Sequence, residues 1–298
     1  MTERDREKTA LDSGQRNAVV WFTEEACRDV EVAGGKGASL ARMTAAGLPV
    51  PPGFVIPSYV LQDSIDTERV LELATSRSAR ELQELVAATE PPKEKLTAAY
   101  ENLVGARLTA TYKLIGNKKV AVRSSAVAED SEAASYAGQQ ETYLFVKGVE
   151  EVCRRVVDCW ASFFSERALF YRSEKGSLED MRMAVVVQKM VDPEKSGVIF
   201  TVDPVRRRRD RMIVEAVRGV GEQVVSGEVT PDHYTLDRKG KLKREKIVDD
   251  RVLTDDELQR LGDLGRQLEE RHGVAQDIEW AIVGEEIYLL QSRPVTTM

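Results

Sequence analysis

Apolar and polar positions are spaced in two different ways along the chain, and the spacing changes near residue 183. Before this point, long segments carry apolar residues three and four positions apart, which is the period of an amphipathic helix. After it, short runs rich in valine and isoleucine alternate with turn residues, which is typical of strands. Together the two patterns predict a chain of the α+β class.

The same spacing predicts where the individual elements lie. Helices are predicted at 36–46, 67–89, 92–108, 149–172 and 254–271. The last helix has the clearest signals, because Thr254 and Glu257 form a capping-box pattern at its start and Gly273 follows its end. Strands are predicted at 17–22, 119–123, 141–146, 183–190, 196–202, 212–217, 223–226, 233–236, 277–283 and 286–291.

The length of 298 residues is compatible with one large domain or with two lobes. Residues 1–16 are predicted to form a polar tail. Residues 17–190 are predicted to form the N-terminal part of the domain and residues 191–298 a C-terminal lobe, with the boundary near 188–195.

Composition narrows the classes of function. Lysine and arginine number 43 and aspartate and glutamate 50, so the net charge of −7 argues against a general nucleic-acid or anionic-membrane binder. No apolar run approaches the roughly 18 residues that span a bilayer, and the charged first residues lack a signal-peptide pattern. With only three cysteines, these features predict a cytoplasmic protein. The only histidines are His233 and His272, which excludes a three-histidine zinc site.

Three segments in the first part have phosphate-binding chemistry. Residues 34–39 (GGKGAS) form a glycine-rich turn before a helix, where backbone N–H groups and Lys36 can hold phosphate oxygens. Arg123 ends the strand KVAV beside two serines, and a guanidinium there can bind phosphate bidentately. Residues 137–142 (AGQQET) contain a glycine turn before a strand, and a glycine allows the backbone to approach a ligand closely. Taken singly, each segment favours the simpler interpretation, which is an ordinary turn, a surface arginine and a generic loop respectively.

Two oxygen-bearing side chains occur on the last two predicted strands. Glu279 and Gln291 flank a tight turn and are twelve residues apart, which puts them on one face if the turn has the required parity. Oxygen ligands on adjacent strands suit Mg²⁺, and Arg293 would point to the same side. The alternative is a polar sheet face without a metal.

A basic run, RRRRDR at 206–211, stands out in this acidic chain. It lies between two predicted strands and is therefore interpreted as a solvated hairpin tip. A surface that docks a partner is the alternative.

In this order the motifs resemble one family. The chain is similar to the N-terminal nucleotide-binding domain of phosphoenolpyruvate synthase (pyruvate, water dikinase), pyruvate phosphate dikinase and rifampin phosphotransferase. The resemblance covers residues 34–297 and is carried by the blocks GGKGASLARM, GLPVPPGFVI, VAVRSSAVAED, SYAGQQETYL, SGVIFTVDP, GVGEQVVSGEVTPD and QDIEWA…IYLLQSRPVT. It implies an ATP-grasp fold with ATP between two α+β lobes.

The resemblance also implies roles for individual residues. The implied phosphate ligands are Lys36, Arg123 and Arg293, which are also the implied catalytic residues. Gly138 and Thr142 would belong to a loop that closes over the phosphates, and Gln188 would lie near the adenine. Glu279 and Gln291 would bind Mg²⁺.

Members of the family pass the β-phosphoryl group of ATP to a histidine on a swivelling domain, and AMP is a product. Neither His233 nor His272 lies in the phosphohistidine motif of the family. The resemblance therefore implies a phosphoryl-donating subunit or domain whose phosphohistidine and substrate domains are supplied separately, a division for which phenylphosphate synthase is a precedent. A self-sufficient small-molecule phosphotransferase and a non-catalytic Mg-ATP sensor are the alternatives.

Overall fold

A computed structural model describes residues 16–105, 118–127, 141–175, 182–221 and 229–295, without the side chains of residues 171, 172 and 175. The described residues form two compact units. The first comprises residues 16–41, 52–105, 118–127, 141–175 and 182–189, and the second comprises residues 42–51, 190–221 and 229–295. Both units combine helices with an antiparallel sheet, so the prediction of the α+β class is confirmed.

The first unit has a five-stranded sheet of order β1-β2-β5-β3-β4 in which all neighbouring strands are antiparallel. Its strands are β1 (Val20–Trp21), β2 (Gly53–Ile56), β3 (Lys119–Ala126), β4 (Thr142–Lys147) and β5 (Met183–Lys189). Its helices, after a short 3₁₀ turn at Glu25–Arg28, are α1 (Val30–Ala45), α2 (Ser58–Ser64), α3 (Thr67–Thr75), α4 (Ala79–Ala87), α5 (Lys93–Gly105), α6 (Val149–Ser162) and α7 (Glu166–Lys175). The last residues of α1 belong to the second unit. The core lies between the sheet and helices α2 to α7 and includes the fully buried Trp160.

The second unit has a six-stranded sheet of order β11-β10-β6-β7-β8-β9, again antiparallel throughout. Its strands are β6 (Lys195–Phe200), β7 (Arg211–Arg218), β8 (Asp232–Asp237), β9 (Leu242–Lys246), β10 (Gln276–Val283) and β11 (Glu286–Pro294). Helix α8 (Asp255–His272) packs on one face, where a Cβ added at Gly265 would lie 3.1 Å from Ile199 Cδ1. The opposite face of this sheet carries Glu279, because residues 278 and 279 point to opposite sides.

The capping box at the start of α8 is present as predicted. The Glu257 N–H donates to Thr254 Oγ1 at 3.2 Å, and the Thr254 N–H donates to the Glu257 carboxylate at 2.8 Å. The helix ends at Gly273, which has a φ of 70°. Most other predicted elements are present with shifted ends, and the predicted strand 223–226 lies outside the described residues.

Several predicted elements were wrong in extent. The single helix predicted at 67–89 is two helices, because Arg77 adopts a left-handed conformation with a φ of 57° and ends the first. The helix predicted at 149–172 is interrupted at Phe163–Ser165. The helix predicted from Lys36 begins earlier, at Val30, and is kinked at Gly34. Strands β2 and β9 were not predicted.

Within the described residues, no helix combines the length and the apolar composition that crossing a bilayer requires.

Candidate functional site

The glycine turn of the first unit is held against strand β3 by close backbone packing. Gly34 interrupts α1 with φ 67° and ψ 175°, and a Cβ at this position would lie 2.1 Å from the Ser125 carbonyl oxygen. The Ser125 hydroxyl donates to the Ala33 carbonyl at 2.8 Å and accepts from the Gly37 N–H at 3.1 Å. One serine therefore fixes the backbone on both sides of the kink, which explains why only glycine fits at position 34.

Lys36 follows this kink, and its side chain is buried. The Lys36 ammonium donates to the Ser124 carbonyl oxygen at 3.1 Å, and the residue is only 6% exposed. Burial of a lysine is uncommon because its charge loses hydration. The local fold thus places a cation beside the end of strand β3 that also carries Arg123.

Arg123, Thr142 and Gln188 lie on one face of the first sheet. Arg123 is directly opposite Thr142 on β4, and Gln188 on β5 is directly opposite Ala121, two residues before Arg123. Side chains directly opposite each other, or two apart on one strand, share a face. Arg123 and Gln188 are buried.

Helix α1 packs on this same face around Gly37. A Cβ at Gly37 would lie 2.9 Å from Val55 Cγ2 and 3.6 Å from Val186 Cγ2, and Val186 is directly opposite Arg123. The helix that carries Lys36 is therefore on the side of the sheet that carries Arg123. Four of the predicted site residues meet on this face, and Gly138 lies outside the described residues.

The second unit brings together the residues predicted to bind a metal. Glu279 on β10 is directly opposite Gln291 on β11, and Asp277 is directly opposite Arg293. Gln291 is buried, Glu279 is half-buried and Arg293 is exposed. All four side chains share the face that α8 leaves uncovered.

Two carboxylates beside this pair were missed by the sequence analysis. The Asp277 carboxylate accepts a hydrogen bond from Arg293 Nε at 2.9 Å. Glu215 on β7 lies in the same row as Glu279, because both are directly opposite Val198 on β6. Asp277 could have been found from the sequence, because it lies two residues before Glu279 on a predicted strand. The only sequence signal for Glu215 is that it is an acidic residue within an otherwise apolar predicted strand.

Burial and the neighbouring charges shift the pKa of the Asp277 carboxyl. Burial is the main cause that raises the pKa of the Asp277 carboxyl. Arg293 opposes that rise, while the charges of Glu279 and Glu215 add to it. In the described part of the chain, no three acidic, histidine or cysteine side chains are grouped closely enough to hold a metal ion by themselves. A metal here would need the Gln291 amide oxygen or ligands from a bound molecule.

Comparison with known proteins identifies the family of the chain. The sequence model described as "Pyruvate phosphate dikinase, AMP/ATP-binding domain" matches residues 30–251 and 239–298. The match covers more than half of the chain, and the chain therefore belongs to this family of ATP-binding domains. The resemblance found in the sequence analysis is confirmed.

The relatives are longer proteins. "Probable phosphoenolpyruvate synthase" of Archaeoglobus fulgidus is 41% identical over 94% of this chain and 42% of that protein. "Rifampicin phosphotransferase" of a Streptomyces species is 37% identical over 91% of this chain and 36% of that protein. D-alanyl-alanine synthetase A from Vibrio cholerae is a similar solved structure, with a TM-score of 0.37 and 10% identity over 87% of this chain and 57% of that chain. The chain spans less than half the length of the two curated relatives named here.

Proposed function

We propose that the chain is the ATP-binding, phosphoryl-donating part of a pyruvate,water dikinase-like phosphotransferase with an ATP-grasp fold. It passes the β-phosphoryl group of ATP to a histidine on a separate domain or chain, and AMP is released. Membership in the AMP/ATP-binding domain family supports nucleotide binding directly. The observation that carries the proposal for the site is the common sheet face of Lys36, Arg123, Thr142 and Gln188.

The chemistry of this face fits a nucleotide polyphosphate. Two buried cations, Lys36 and Arg123, lie on the same side of the sheet as a threonine hydroxyl and a glutamine amide. Buried cations interact strongly with phosphate oxygens because little water is present to screen their charge. We assign the phosphates to Lys36, Arg123 and the Thr142 loop, and the adenine to the neighbourhood of Gln188.

The oxygen-bearing side chains of Glu279 and Gln291 in the second unit are suitable ligands for Mg²⁺. Glu279 supplies a carboxylate and Gln291 an amide oxygen on adjacent strands, and Mg²⁺ prefers a few protein oxygens with phosphate and water as its other ligands. When bound, the ion would neutralise phosphate charge during transfer. Next to this pair, the Asp277 carboxylate accepts a hydrogen bond from Arg293. This contact orients the Arg293 guanidinium before any phosphate is present.

The work of the chain's own residues is positioning and charge neutralisation. Phosphoryl transfer requires little covalent chemistry from the protein, because its transition state spreads charge over the phosphate oxygens. Lys36, Arg123 and Arg293 stabilise that charge, and the incoming histidine nitrogen is supplied by the separate phosphohistidine domain. The final substrate is then chosen outside this chain.

Transfer of a positional label tests the proposal. The purified chain and Mg²⁺ are added to a desalted extract of the encoding organism with ATP labelled at the β-phosphate, and γ-labelled ATP serves as control. The proposal predicts an acid-labile label on a second protein from β-labelled ATP only, and its loss with Glu279→Gln. ATP binding without any transferred β-label would contradict the donor role and favour a binding module.

A further inference from the structure

Two adjacent turns at one end of the second sheet carry a cluster of cations. The β6–β7 turn carries Arg206, Arg207 and Arg209, and the β8–β9 turn carries Lys239 and Lys241. All five residues are exposed, and we call them the basic hairpin surface. The turns are neighbours because Arg211, at the start of β7, is directly opposite Asp237, at the end of β8.

An aspartate fixes the backbone of each turn. Asp203 accepts a hydrogen bond from the Arg206 N–H at 2.9 Å, and its backbone pairs with that of Arg208. Asp237 accepts from the N–H groups of Lys239 and Lys241, each at 2.9 Å. The cations therefore extend from turns of defined shape.

Arg238 joins the two turns. Its guanidinium donates to the Thr201 carbonyl oxygen and, at 2.7 Å, to the Glu269 carboxylate on α8. Since Thr201 begins the β6–β7 turn, this contact holds the two cationic tips side by side. The basic hairpin surface is thus a single connected feature of the second unit.

Other cations near the two turns form ion pairs with carboxylates. Arg208 and Arg211 pair with Asp210, and Lys243 pairs with Asp237. Within the described ranges, none of the five members of the basic hairpin surface forms an ion pair with an acidic side chain. Like charges in close proximity repel one another, and Arg207 also holds a left-handed φ of 53°.

We infer that the basic hairpin surface docks a partner protein through a cluster of carboxylates on that partner. Arginines at the tip suit carboxylates because a guanidinium binds them bidentately and is weakly hydrated. Val205, at 89% exposure, adds an apolar contact among these cations, and arginine is enriched at protein interfaces. The two turns contain no aromatic residue on which nucleic-acid bases would stack, and this favours a protein partner.

Binding of an acidic peptide to the full chain tests this inference. Fluorescence anisotropy is measured with a labelled decaglutamate peptide and a neutral decaglutamine peptide between about 50 and 300 mM NaCl. We expect salt-sensitive binding of decaglutamate only. The variant R206S/R207N/R209S should weaken it at least about tenfold, because three charge-assisted contacts are lost. Asparagine is chosen at position 207 since it tolerates a positive φ, and melting curves verify folding.

Two further variants make the test specific. The control R80S/K93S/R154S removes three exposed cations from the first unit and changes the net charge equally, so its affinity should stay within about twofold of wild type. R206K/R207K/R209K keeps the charge and should bind more weakly than wild type by a few fold. Absence of decaglutamate binding, an equal loss in the control, or tighter binding of a DNA duplex or anionic vesicles would overturn the inference.

Discussion

Glu279 and Gln291 lie directly opposite each other because a β-bulge at Leu290 shifts the register between β10 and β11. Next to the turn, Val283 pairs with Glu286 and Trp280 with Leu289, a register that would place Leu290 opposite Glu279. The additional residue moves Gln291 into that position instead. A bulge beside a candidate metal pair is consistent with the use of bulges to redirect side chains near functional sites.

Replacement of Gly34 by alanine should destabilise the first unit by about 2–4 kcal/mol, because the new Cβ would meet the Ser125 carbonyl 2.1 Å away. The free energy of unfolding in urea measures this. Gly47→Ala is the matched control, since Gly47 has a φ of 71° with no atom within 4 Å of an added Cβ, and it should lose only about 1 kcal/mol. Equal losses would show that the contact with Ser125 does not constrain the turn.

Lys36→Ala and Arg123→Ala should each weaken ATP binding by about tenfold or more, because each would remove a proposed charge-assisted contact with phosphate. Calorimetric titration of ATP gives the affinities, and melting curves report folding. Arg80→Ala, at an exposed position of α4 on the opposite side of the first sheet, should leave the affinity unchanged. If the Lys36 or Arg123 variant is largely unfolded, that residue has a structural role instead.

Acid should weaken the attachment of α8 to the second sheet through Glu257. Burial acts to raise the pKa of the Glu257 carboxyl, but hydrogen bonds from Lys195 and Thr254 outweigh it and lower the pKa below its ordinary value of 4.5. A carboxyl with a lowered pKa in the folded state stabilises the protein above pH 4.5, and this contribution disappears as pH falls through the folded-state pKa.

Glu257→Gln should therefore cost about 1–3 kcal/mol at pH 7, because it removes the charge that pairs with Lys195 at 2.7 Å while leaving a capping side chain. Its deficit relative to wild type should shrink between pH 5 and about pH 3. Urea unfolding at several pH values measures both effects. Asp256→Asn, at an exposed position of the same turn, should change stability by less than about 1 kcal/mol. A deficit for Glu257→Gln that is constant with pH would contradict this account.

The sequence indicated the fold class, the helix cap at Thr254 and the strands that carry the candidate site, because periodicity and capping are local signals. It missed β2, since four residues between prolines carry too short a pattern. It also missed the break at Arg77, because a left-handed helix end is normally marked by glycine. These elements depend on tertiary packing that local spacing does not encode.

The sequence predicted which residues form the candidate site better than it predicted how those residues are arranged. The pairing of Glu279 with Gln291 was conditional on the parity of the turn, and the bulge that satisfies it has no sequence signal. Burial of Lys36 against Ser124 was not predicted, because the two residues are 88 positions apart.

Calorimetric titration of ATP with and without Mg²⁺ tests the central claim most directly, with wild type, Glu279→Gln and Glu286→Gln compared. Glu286 is an exposed glutamate at the other end of the same hairpin and serves as the matched control. We predict that wild type and Glu286→Gln bind ATP about tenfold more tightly with Mg²⁺ than in a chelator, whereas Glu279→Gln loses most of this difference. ATP affinity that is unaffected by chelation and by Glu279→Gln would contradict the claim.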